Sequence, residues 1–185
     1  LEWTIANLNG TKAENVISFS SKTVPVLAIL RKNLELNKKT QILYSGELPA
    51  FFEADLVRKV YNYAFELKQM QQDEAIPSFD GTTIYINPTA KIGTTACDPS
   101  VDFYINLHGE LGSVLLVNGV ENETYISEIQ HVRRRETIAM TPANCLIALN
   151  LILEKDSLGT SKNTIEAAKL SVFNSINEIT GTTSK

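Results

Sequence analysis

His108-Gly109-Glu110 holds one of the chain's two histidines, and its residue types could do metal chemistry. In zinc-dependent deaminases a His-x-Glu pair supplies one ligand and a proton-shuttling carboxylate, and a later Pro-Cys-x-x-Cys supplies two thiolates. Here Pro142-Ala143-Asn144-Cys145 separates proline from cysteine by two residues, and no cysteine follows Cys145. The triplet also follows an alternating strand pattern and precedes Gly112, which reads as the bend between two strands rather than the start of a helix. A tetrahedral site can be drawn from His108, His131, Cys97 and Cys145, but the short ligand spacings that organise such sites are missing.

Other chemistries fail on the same kind of test. A serine or cysteine nucleophile would need His108 or His131 as its base, and no Gly-x-Ser-x-Gly elbow occurs. Gly159-Thr160-Ser161-Lys162 has the letters of a phosphate loop without their order, and no Gly-x-Gly-x-x-Gly follows a strand pattern. Asp98, Asp102, Glu110, Glu121, Glu123 and Glu128 are plentiful but lack the spacing of a calcium loop. Cys145, inside an apolar run, reads as a core thiol. Neither a catalytic set, a metal site nor a cofactor is expected, and the chain is read as leaning away from enzymes. Sequons at Asn9-Gly10-Thr11 and Asn122-Glu123-Thr124 are short enough to arise by chance.

Charge is the more informative feature. The 185 residues carry a net −4, which argues against a nucleic-acid partner held through phosphates. Residues 1–70 carry nine Lys/Arg against seven Asp/Glu, residues 71–130 one (Lys91) against nine, and residues 131–185 seven against five. The acidic middle is a candidate docking face for a basic partner or another copy. Arg133-Arg134-Arg135 is the densest positive stretch. If extended, Arg133 and Arg135 share one side and Arg134 the other, as a charged strand edge or a clamp for carboxylates.

The elements that must position these residues follow from periodicity. WTIAN and ENVISFS around Asn9-Gly10 suggest a hairpin, and VPVLAILRKNLEL a helix ended by Asn37. QILYSG suggests a brief strand. From Pro49 to Asp73, Leu56, Val60, Tyr63, Leu67 and Met70 step by four and three, predicting one long helix. TTIYI, VDFYINL, SVLLV, TYISEIQHV and ETIAM then follow with turn signals, Asn118-Gly119 the clearest, as an antiparallel meander over about 75–140. Thr141-Pro142 launches an apolar helix, and Asn163 with Glu166 resembles the capping box of a last one. The fold class expected is α+β: the meander packed with N-terminal and C-terminal helices in a single domain over 1–185. No apolar run is long enough to span a bilayer, and the start at Leu1 suggests a processed chain or a fragment.

With no catalytic set and a segregated charge, the leading expectation is a non-enzymatic structural or interaction protein. It would self-assemble as a homo-oligomer, as a subunit of a viral or other supramolecular particle. Glu121, Glu123 and Glu128 of one copy would meet Arg133, Arg134 and Arg135 of another across a salt-sensitive contact. The competing expectation is a small-ligand binder or enzyme with its pocket between sheet and helices, using Tyr104 and His108.

Overall fold

The computed structural model describes residues 1–49, 52–71, 74–88, 91–154, 170 and 172–174. It divides the chain into 1–154 and 155–185, and every element named below belongs to the first unit. The capping box expected at Asn163 and most of its helix lie outside the described residues; Leu170 and residues 172–174 are helical.

In chain order the elements are α1 (Glu2–Leu8), β1 (Val16–Phe19), α2 (Val24–Leu36), β2 (Thr40–Tyr44), α3 (Ala54–Tyr61), β3 (Glu66–Gln69), β4 (Thr82–Asn87), β5 (Phe103–His108), β6 (Gly112–Val117), α4 (Ile126–Arg135) and α5 (Pro142–Ile152). The strands form one sheet in the order β1-β6-β5-β4-β2-β3. Strands β2, β3, β4 and β5 run parallel, while β6 is antiparallel to both its neighbours. The protein is therefore mixed α and β, as expected, but the sheet is mixed rather than an antiparallel meander.

Three local expectations change with it. WTIAN is helical, because Asn9 closes the turn: its backbone N–H and its Nδ2 both donate to the Ile5 carbonyl. The long helix over 49–73 stops at Tyr61, where Asn62 takes the left-handed conformation (φ 56°), and Glu66–Gln69 instead becomes a parallel edge strand. TYISEIQHV forms a 3-10 turn and α4; its buried Tyr125, Ile129 and Val132 sit four and three apart, a helical period. ETIAM contributes only a single bridge, Ala139 to Phe19.

The predicted bend is present. His108 pairs with Gly112 across an antiparallel hairpin, with a 3-10 turn over Gly109–Leu111 between them. Gly112 has no substitute: at φ 116° an added Cβ would lie 2.0 Å from the Phe19 carbonyl oxygen.

Each face of the sheet has its own core. Ile17, Ile42, Ile84, Ile86, Ile105 and Leu115 pack with Val26 and Ile29 of α2, Val57 of α3, and Ile129 and Val132 of α4. Such fully buried side chains each contribute about 1.5–3 kcal/mol of transfer free energy. Inside this core, Asn33 of α2 accepts from Tyr125 Oη and Thr82 Oγ1 and donates to Thr40 Oγ1, joining four segments by a satisfied polar hub. On the opposite face Val16, Val114 and Leu116 pack with Ile5 and Ala6 of α1, with Met140 ahead of α5 and with Cys145 and Ile152 of α5. These second-face helices pack over β1 and β6, and at the β5, β4 and β2 side the same face carries Asn106, Tyr85 and Asn87, which line a cleft.

Candidate functional site

The cleft follows from how the chain leaves the parallel strands. After β2 it turns outward to α3 and β3, and after β4 it turns the other way into the 88–102 connection and β5. Two neighbouring parallel strands whose exits diverge leave a crevice at their carboxyl ends, the usual ligand position of open α/β sheets. Here the crevice has a volume of about 1250 Å³. Ser45 and Gly46 enter it from the end of β2, Gln69 and Met70 from β3, Asn87 from β4, Asn106 from β5, and Thr94 to Pro99 from the long connection.

Its floor is a repeated triplet. Tyr85-Ile86-Asn87 of β4 and Tyr104-Ile105-Asn106 of β5 lie in register, residue against residue. Because side chains alternate, both isoleucines enter the core beneath the sheet, while both tyrosines and both asparagines turn to the cleft. The two tyrosine rings tilt against each other with centroids 5.9 Å apart. This repeat was the sequence signal for the site, and period and motif reasoning missed it, since identical triplets gain meaning only when their strands are neighbours.

Second-layer bonds hold the floor in place. Asn106 Nδ2 donates to Thr95 Oγ1 at 2.8 Å, and Thr95 N donates to Asn9 Oδ1 at 2.7 Å, which ties the cleft wall to the end of α1. Tyr104 Oη accepts from Asp98 N at 2.6 Å, and burial pushes its phenol up to about 12. Ser45 Oγ lies 3.4 Å from Asn87 Oδ1, and Gln69 Nε2 donates to the Gly46 carbonyl at 2.8 Å. Asn106 is only 3% exposed, yet among the described residues its Oδ1 has no hydrogen-bond partner.

Lys91 is the one cation among the described lining residues, against the carboxylates of Glu74 and Asp98. Hydrogen bonds from Lys68 Nζ and Gln71 N hold the Glu74 carboxyl below its ordinary range, so it stays ionised. Cys97 lines the cleft as an exposed residue, and partial burial of its thiol pushes the pKa up, away from nucleophilic thiolate. Among the described residues no group of three His, Cys, Asp or Glu could hold a metal ion.

The residues singled out from sequence scatter. Tyr104 is in the cleft floor; His108, two residues past Asn106, ends β5 outside the set that lines it. Arg133, Arg134 and Arg135 form the last turn of α4 rather than an extended edge, so they fan out about 100° apart and complement the helix dipole. Arg133 donates to Glu2 Oε1 and to the Ser18 carbonyl, and Arg135 pairs with Glu136. Glu123 pairs with Lys12 at 2.7 Å, Glu128 lies 3.9 Å from Arg31, and Glu121 is exposed beside Gly119. The acidic middle is thus spread over the hairpin bend, a 3-10 turn, α4 and loops. Asn122 of the second sequon is buried, bonded to Asp102 and to the Asn118 carbonyl. Among the described residues no helix is long and apolar enough to cross a membrane. Set against models of known protein families and against curated proteins, the chain matches none.

Proposed function

We propose that the protein is a small-ligand-binding domain, and that a polar ligand rich in hydrogen-bonding groups occupies the cleft at the carboxyl ends of β2, β4 and β5. The observation that carries this reading is Asn106. A buried amide oxygen left without a partner costs about 1–3 kcal/mol, and a ligand donor would remove that cost. Two further features support it. The cleft sits where the strand exits diverge, and the sheet face beneath it sets two asparagines beside two tyrosines.

A thermal-shift screen of metabolite-sized compounds on the full chain tests the reading. Compounds that raise the melting temperature of the wild type and lose that effect with Asn106→Ala are expected. A screen in which every stabilising compound acts equally on Asn106→Ala removes it.

Self-assembly remains the second reading. Its charge mechanism draws little support from Arg133, Arg135, Glu123 and Glu128, which pair within the chain. Leu146, Leu151 and Leu153, exposed at α5, speak for a partner copy. A chain that sediments as a monomer at high concentration, from low to physiological salt, ends that reading.

A further inference from the structure

On the footing of the ligand cleft, we propose that the bound molecule is an uncharged hydroxylated ring compound, a nucleoside or a saccharide. Its ring face would lie on Tyr85 and its O–H or N–H group would donate to Asn106 Oδ1.

The charge of the site disfavours a phosphate. In open α/β sheets the phosphate sits at the N-terminus of the helix that follows a central strand, where backbone N–H groups and the helix dipole favour an anion. The helix following β2 is α3, which starts behind Glu53 and carries Asp55 in its first turn. An anion there would meet the Glu53 carboxylate and an Asp55 whose charge is balanced by Arg58, with no cation to spare in that turn. Lys91 and Asp98 both line the cleft and Glu74 is paired with Lys68, so the positive charges are matched by carboxylates and leave no surplus for an anion.

The unfilled bond sets the polarity of the ligand group. Asn106 Nδ2 donates to Thr95, and Oδ1 is the acceptor left without a partner among the described residues, so a ligand donor is what completes the side chain. Hydroxyl and amino groups complete it; an ether, a carbonyl or a carboxylate leaves it as it is. Tyr85, half-buried, supplies an apolar ring surface diagonally across the register from Asn106. Two residues along a strand and one strand across places their backbones about 8 Å apart, the span of a ring with one substituent. Nucleobases and the C–H faces of sugar rings both stack on such a surface.

Saturation-transfer NMR followed by titration on the full chain decides the matter, with adenosine, cytidine, glucose and maltose as probes. Adenosine 5'-monophosphate and glucose 6-phosphate serve as their charged counterparts. At least one uncharged probe is expected to bind, its phosphorylated counterpart more weakly, and Asn106→Ala and Tyr85→Leu should each weaken it roughly five- to tenfold. Binding by the nucleosides alone or by the saccharides alone identifies the source of the ring. Should Asn106→Ala fail to fold, Tyr85→Leu decides. Tighter binding of a phosphorylated counterpart, no binding by any uncharged probe, or indifference to the substitutions overturns the proposal. A charged compound from the thermal screen that depends on Asn106 would overturn it while leaving the ligand cleft in place.

Discussion

Asn87 and Asn106 face one another on adjacent parallel strands, ending twin Tyr-Ile-Asn triplets whose isoleucines are core and whose polar residues line one cleft. Asn106→Ala removes the donor to Thr95 together with an acceptor that has no partner among the described residues. These effects oppose each other, so the stability change in urea should stay within about 1 kcal/mol. A loss of several kcal/mol would mean that Asn106 is a structural strut rather than a ligand contact.

The hairpin bend offers a matched pair of glycines. Gly109 has φ 48° with open space around it, so Gly109→Ala should cost about 1 kcal/mol for the left-handed conformation alone. Gly112 combines φ 116° with the Phe19 carbonyl where a Cβ would go, so Gly112→Ala should cost about 3 kcal/mol or more. Equal effects in chemical denaturation would contradict the observed bend.

Tyr104 makes the stability pH-dependent. Burial raises its phenol from the ordinary 10 to about 12, so below pH 10 folded and unfolded chains both keep the proton and the full stability is present. Between pH 10 and 12 the unfolded chain releases it first, and stability falls. Unfolding free energies measured across this interval should decline more steeply for the wild type than for Tyr104→Phe. Parallel declines would place the phenol in water.

Glu2 and Arg133 are 131 residues apart in sequence, and their ion pair joins α1 to α4, with Ser18 of edge strand β1 donating to the same carboxylate oxygen. Both side chains are under a third exposed. Arg133→Ala should lower stability by about 1–3 kcal/mol and leave the sedimentation coefficient unchanged. A change in particle size without a change in stability would instead return Arg133 to an intermolecular role.

The legible parts of the sequence are those whose signals are local. The 3.6-residue period and Asn37, left-handed at φ 55°, marked α2; Thr141-Pro142 marked α5, where Thr141 Oγ1 accepts from Asn144 N; and Gly109 with Gly112 marked the bend. Strands β2, β4, β5 and β6 were also readable from short β-branched and aromatic runs. The parallel pairing was not, because β2 meets β4 across two connections that leave no mark of their own. A spacing of four and three misled over 49–73, where Leu67 and Met70 continue the pattern of α3 by coincidence after Asn62 has ended it. The same spacing at Tyr125, Ile129 and Val132 was overlooked amid β-like residues. Tyr104 was the part of the site visible in advance. Asn106 and Asn87 carry no motif of their own, and only the sheet order places them side by side.

The most direct test is a two-dimensional amide NMR titration of the full chain with a compound that raises its melting temperature. The backbone signals of Tyr85, Asn87, Thr95 and Asn106 and the Asn106 side-chain amide should shift together and saturate, while those of α4 stay in place. Shifts confined to α4 or to α5, with the Asn106 side chain unmoved at saturation, would contradict a ligand site at the carboxyl ends of the parallel strands.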